Sequence, residues 1–164
     1  MSLSFYLGAR GLDEEYWDPT EKQGVFGVEF SRQGADDFLG FELGIMGSTD
    51  TADVGTFDVR GSVLEIYGGL RKNFDMPVTG LRPYVGGGLA IVAAEAEASI
   101  GPFTDSVDDT SLAGYLHGGI VYVFDFGFQL GVDVRTLFGS ELDIGPVVAD
   151  ADYEQVALVL GLAF

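Results

Sequence analysis

His117 is the only histidine of this 164-residue chain, and cysteine is absent. A hydrolytic site built on that imidazole needs a serine within hydrogen-bond reach and a carboxylate to orient the ring. No serine lies two positions away. Ser111, six residues back on the same strand face, is too distant along the strand. The lack of cysteine removes thiol catalysis and zinc–thiolate centres. What remains is carboxylate and guanidinium chemistry. Arg10, Glu29, Glu42, Glu65, Arg71, Asp133 and Arg135, like His117, stand singly among small and apolar residues at alternate positions. Enclosed charges must pair, because a lone one is costly. These eight are therefore expected to form an interior charge network, structural rather than catalytic, with a narrow ion path as the functional alternative.

A second set of acids crowds the polar stretches: Asp13, Glu14, Glu15, Asp18 and Glu21; Asp50, Asp53 and Asp58; Asp105, Asp108 and Asp109; Glu141, Asp143, Asp150 and Asp152. A solvated, self-repelling surface is the expectation. Divalent cations, bridging the acids to anionic lipid phosphates, are the alternative, because Ca²⁺ takes carboxylate oxygens. The spacing of a dedicated calcium loop is missing, so Asp105, Asp108, Asp109, Asp150 and Asp152 are only weak candidates. No metal site and no cofactor are expected. Tyr16-Trp17 reads as a loop anchor or interfacial aromatic. A net charge of −18, with 8 basic residues that form no cluster, repels nucleic acid.

The elements that must position these groups are strands. The last stretch sets the pattern: Val156, Leu158, Leu160, Leu162 and Phe164 alternate with Gln155, Ala157, Val159, Gly161 and Ala163, a period of two. Seven more such stretches precede it: Ser2–Arg10, Gly24–Arg32, Asp37–Gly47, Asp58–Asn73, Arg82–Glu95, Ser111–Phe124 and Phe128–Phe138. No helical period and no apolar run of transmembrane-helix length occur. Connections after strands one, three, five and seven are long and polar, and those after two, four and six are short. Antiparallel neighbours joined this way place all long loops at one end. One domain over 1–164 is expected, an all-β, eight-stranded antiparallel up-and-down barrel.

One face of each strand is almost purely apolar; the other mixes glycine and alanine with one or two ionisable groups. A soluble, lipocalin-like carrier would point the apolar face inward and cover the outside with charge. The mixed face here is too small and too poor in charge to be a solvated exterior, but suits the narrow lumen of an eight-stranded barrel. The apolar face therefore points outward, to lipid. Phe5, Phe30, Tyr122, Phe124, Phe128 and Phe164 are placed to form an aromatic girdle at the short-turn end.

The terminal LVLGLAF, the LRPYVGGGLA of the fifth strand and the FGFQLGVDVRTLF of the seventh are the pieces by which the chain resembles the small eight-stranded outer-membrane barrels of Gram-negative bacteria, the OmpA, OmpX and opacity-protein type. The resemblance implies a porin-like architecture without a wide pore, a transmembrane protein at the cell surface in contact with outer-membrane lipid and lipopolysaccharide. It implies that the Leu160, Leu162 and Phe164 stripe is an assembly signal for the barrel assembly machinery. A non-enzymatic structural or surface-interaction role is expected, with a monomer as the default because closure removes strand edges. A soluble lipocalin-like carrier of a hydrophobic ligand is the alternative, and a lipid-A-modifying enzyme the third reading. No signal peptide is visible after Met1, so an exported protein would be represented here in its mature form.

Overall fold

A computed structural model describes residues 1–12, 17–34, 36–54, 57–74, 76, 80–100, 103–144 and 147–164; within these, only the backbone is described for 53–54, 57–58, 96–100, 103–107, 143–144 and 147–149. Ten strands are present: β1 (Ser2–Leu12), β2 (Lys22–Arg32), β3 (Gly40–Val54), β4 (Phe57–Asn73), β5 (Leu81–Ile100), β6 (Phe103–Val123), β7 (Phe128–Phe138), β8 (Leu142–Ile144), β9 (Val147–Ala149) and β10 (Tyr153–Ala163). Eight of them close an antiparallel barrel in the order β1-β10-β7-β6-β5-β4-β3-β2, and β8 pairs with β9 as a separate hairpin. The seam joins β1 to β10, from Ser2↔Ala163 to Leu12↔Tyr153. At its foot Met1 and Phe164 exchange two hydrogen bonds, amine to carbonyl at 2.9 Å and amide to carbonyl at 3.0 Å.

Side-chain alternation sorts inside from outside on every barrel strand. Leu7, Phe26, Leu43, Ile66, Leu89, Leu116, Val134 and Leu158, one per strand, are each more than half exposed, whereas Tyr6, Glu29, Met46, Tyr67, Tyr84, Tyr115, Arg135 and Val159 are each at most 1% exposed. The buried interior thus mixes charged, phenolic and aliphatic side chains, and the exterior wall is apolar. Several inward tyrosines lie in register with a glycine on the next strand: Tyr67 with Gly44, Tyr84 with Gly119 and Tyr115 with Gly88. A Cβ at Gly44 or Gly119 would run into the facing phenol. These glycines make room for rings in a lumen only wide enough for side chains.

The strand edges differ from the sequence expectation in two places. In the polar stretches 48–57 and 96–110, expected as loops, the described residues are strand: β3 and β4 stay paired to Val54↔Phe57, and β5 and β6 to Ile100↔Phe103. Beyond Thr49 on β3 and Gly114 on β6 these strands have outrun β2 and β7 and continue as a projecting four-stranded sheet. Few large apolar residues occur in these stretches, so the apolar alternation that marks a strand is lost while the backbone ladder continues. The other boundaries agree to within three residues, apart from β6, which begins at Phe103 rather than Ser111. The polar segment before β10 contains the small β8–β9 hairpin.

At the short-turn end, aromatic rings gather. Phe30 and Phe41 are 5.9 Å apart, Tyr122 and Phe124 4.9 Å, and Phe124 packs against Phe126 and Phe128. At the long-connection end Trp17 is buried and donates its indole N–H to the Asp150 carbonyl at 2.8 Å, tying the first connection to the last.

Candidate functional site

The lumen holds all eight ionisable residues singled out above, none more than 6% exposed. They arrive there because each occupies an inward position of its strand, and they meet because side chains from opposite walls reach the barrel axis. Each carboxylate has one phenol and at least one cation. Glu29 accepts from Tyr67 at 3.1 Å and pairs with Arg71. Glu65 accepts from Tyr153 at 2.8 Å and lies 3.2 Å from Arg135 and 3.7 Å from Arg10. Glu42 accepts from Tyr115 at 2.7 Å, and Asp133 from Tyr84 at 2.8 Å. The imidazole of His117 lies between these last two, Nε2 3.0 Å from both Glu42 oxygens and Nδ1 3.0 Å from Asp133.

The guanidinium groups are stacked as well as paired. Arg71 lies 3.6 Å from the centre of the Tyr84 ring, Arg10 3.8 Å from Tyr153, and Arg135 is held between Tyr67 and Tyr115 at 4.0 and 4.1 Å. Stacking of this kind adds to ion pairing where water is excluded. Three arginines and an imidazolium balance Glu29, Glu42, Glu65 and Asp133 one for one, and both His117 contacts are satisfied as hydrogen bonds only when both ring nitrogens carry a proton. At the short-turn mouth a polar cavity of about 50 Å³ is lined by Ser2, Ser31, Gln33, Arg71, Asn73 and Arg82 among others. It has room for a water or so above the Arg71–Glu29 pair.

No serine is among the hydrogen-bond partners of His117 in the described residues, and both ring nitrogens face carboxylates, so a serine–histidine pair is not assembled there. The tyrosines that hold each carboxylate were the residues sequence reasoning missed. Their signal was present, because Tyr67, Tyr84, Tyr115 and Tyr153 all share the inward parity of the charges. Leu160 is half-buried, and Leu162 and Phe164 are exposed on the outer wall.

The acids of the long connections are not brought together into a metal-ligand trio among the described residues. Asp152 is occupied locally, accepting from the Gly139 and Ser140 amides at 2.9 Å and from the Ser140 hydroxyl at 2.7 Å. Asp108 is exposed opposite Glu95 on the projecting sheet, Asp109 lies beside it on β6, and Asp150 offers its carbonyl to Trp17. The side chains of Asp53, Asp58, Asp105 and Asp143 lie outside those described, and Asp13, Glu14, Glu15 and Tyr16 outside the described residues.

No protein-family model matches the chain, and no curated protein sequence matches it. Solved structures do. The chain is similar to Neisserial surface protein A, with a TM-score of 0.65 at 13% identity over 99% of this chain and 95% of that one. It is similar to Ail, the attachment invasion locus protein of Yersinia pestis, with a TM-score of 0.66 at 11% identity over 98% and 95%. It is also similar to the outer membrane enzyme PagL, with a TM-score of 0.50 at 13% identity over the whole of both chains. Identities this low speak to architecture alone. The chain has the fold of the small eight-stranded outer-membrane β-barrels.

Proposed function

We propose that this chain is a bacterial outer-membrane protein with a closed lumen and a non-enzymatic role at the cell surface, where it presents an acidic sheet and acidic loops to the outside. The observation that carries the reading is the inversion of the usual soluble pattern: large apolar side chains exposed around all eight strands, and every described buried ionisable group inside. Such a wall is stable only against an apolar solvent, and strand spans of this length suit a tilted crossing. Two of the neighbours are, by name, a surface protein and an attachment protein, which accords with a surface role. The outward Leu160, Leu162 and Phe164 stripe is the surface this reading offers to the barrel assembly machinery.

The likeness to PagL raises a lipid-modifying activity as the competing reading. Against it stands His117, clamped by two carboxylates deep in the lumen rather than beside a serine on the lipid-facing wall. Lipid turnover that His117→Ala abolishes would reverse this judgement.

The decisive experiment refolds the chain into detergent or lipid vesicles and compares its electrophoretic mobility with and without boiling. A heat-dependent shift, with no discrete conductance steps in a planar bilayer, is expected. Full solubility as a monomer in buffer without detergent would instead favour a lipocalin-like carrier, and frequent conductance steps would overturn the closed lumen.

A further inference from the structure

Glu29 on β2, Glu42 on β3 and His117 on β6 place one ligand-capable atom each within 4.8 Å of one another at the barrel axis. We propose that this trio is a binding site for one divalent transition-metal ion of the zinc type, held by imidazole Nε2 and two carboxylate oxygens. The inference does not depend on the membrane reading, since it rests on the lumen geometry alone.

Three independent features point to an ion rather than to ion pairing only. First, the far side of the imidazole is arranged as metal-ligating histidines are. Nδ1 lies 3.0 Å from Asp133, which is fixed in turn by the Tyr84 hydroxyl at 2.8 Å. An outer carboxylate that orients the ring and raises its basicity is the recurrent partner of a ligating histidine. Second, Nε2 faces both Glu42 oxygens at 3.0 Å. Ligand atoms around a tetrahedral zinc with bonds of about 2.0–2.2 Å sit roughly 3.3 Å apart, so an ion can replace the shared proton with a few tenths of an ångström of opening. On the adjacent strand Gly86 is in register with His117, and the absence of a Cβ there is what lets Nε2 and both Glu42 oxygens come together against the backbone. Third, Asp133 Oδ1, on the carboxylate that faces Nδ1, and the Tyr6 hydroxyl in the same lumen are buried without a hydrogen-bond partner, so the polar cluster is not closed by protein groups alone.

The donor set selects the ion class. One imidazole with two carboxylates suits zinc and its first-row neighbours better than calcium, which prefers six to eight oxygens. Arg71 beside Glu29 works against a second positive charge, so Glu42 and His117 are the principal ligands and Glu29 the weaker third. Binding is proton-coupled: the ion takes the place of the Nε2 proton, which leaves to solvent.

The test refolds the wild-type chain with Zn²⁺ in excess Mg²⁺, which occupies the acidic loops, then removes loosely held metal and assays the retained zinc. About one zinc per chain is expected in the wild type, none in His117→Gln, and an affinity about 10–100-fold weaker in Asp133→Asn. Heat-dependent mobility of each variant shows that the barrel is intact. Because the chain has one histidine, wild-type protein labelled with ¹⁵N-histidine gives a second measurement that needs no variant: zinc must shift the lone Nε2 resonance. Wild-type protein that retains no zinc, His117→Gln that retains as much as wild type, or an unshifted Nε2 resonance would each overturn the site.

Discussion

The lumen network is made of pairs whose members differ in what their loss leaves behind. Arg71 is the cation paired with Glu29, stacked on Tyr84 and bonded through Nε to Asn73 at 3.1 Å. Arg71→Ala removes the charge, the stack and that bond, and leaves a buried carboxylate held by Tyr67 alone. The expected cost is about 3–5 kcal/mol, measured by denaturant unfolding of the refolded barrel. The double variant Glu29→Gln/Arg71→Met should recover most of that loss, because a pair of neutral groups of similar volume carries no stranded charge. If the double variant is no more stable than the single one, packing rather than charge governs the site. The pairing itself was not legible in the sequence. Glu29 and Arg71 are 42 residues apart, on strands separated by β3. Which acid meets which arginine depends on strand stagger and on side chains reaching across the lumen, neither of which has a local signature. That the charges face inward was legible, because parity along a strand is a local property.

At the scale of elements, alternation is the organising fact. Leu158 and Ala157 are adjacent on β10, yet Leu158 is 56% exposed and Ala157 2%. Leu158→Arg should cost about 2–4 kcal/mol in lipid, because the charge is driven into the apolar belt, whereas Ala157→Ser should cost less than half of that. Equal losses in vesicle-refolded protein would break the assignment of inside and outside. The projecting sheet obeys different rules. Glu95 and Asp108 are exposed and directly opposite one another on β5 and β6, a like-charge pair that weakens the ladder. Asp108→Lys should strengthen the ribbon by about 0.2–1 kcal/mol, seen as slower hydrogen exchange of amides beyond Ala93 with no change elsewhere. The same rules explain why the ends of these strands escaped sequence reasoning. A stretch with few large apolar residues shows no stripe, so Thr51 and Asp108 read as loop although their backbones are laddered. Where one face met the apolar surroundings, as from Leu64 to Leu70, the strand was plain.

Over the whole molecule, charge is divided by height. Apart from Glu29, Glu42, Glu65 and Asp133 in the lumen and Asp36, Asp37, Asp75 and Asp125 in the short turns, all of the 26 acids lie by sequence position at the long-connection end, where Lys22 and Arg60 are the only basic residues. Attraction of a cationic probe such as oligolysine to that end should be strong at low salt. It should collapse as the screening length shortens from about 30 Å at 0.01 M to about 3 Å at 1 M, and titration of vesicle-embedded protein across that range checks it. An affinity insensitive to salt would mean that the acids are already neutralised. The β1–β10 seam has a consequence of another kind, in time rather than in space. Every other barrel pairing joins neighbouring strands of the chain, β7 and β10 with only the β8–β9 hairpin between them, while Leu12 meets Tyr153 across the whole chain. Closing a loop of about 140 residues costs roughly 3 kcal/mol more chain entropy than closing a six-residue turn such as that between Val123 and Gln129. Hairpins should therefore form early and the seam last. Until it closes, β1 and β10 are two bare edges, able to pair with a neighbouring copy as readily as with each other. The moment of greatest hazard for this protein is thus the interval before its first and last strands find one another.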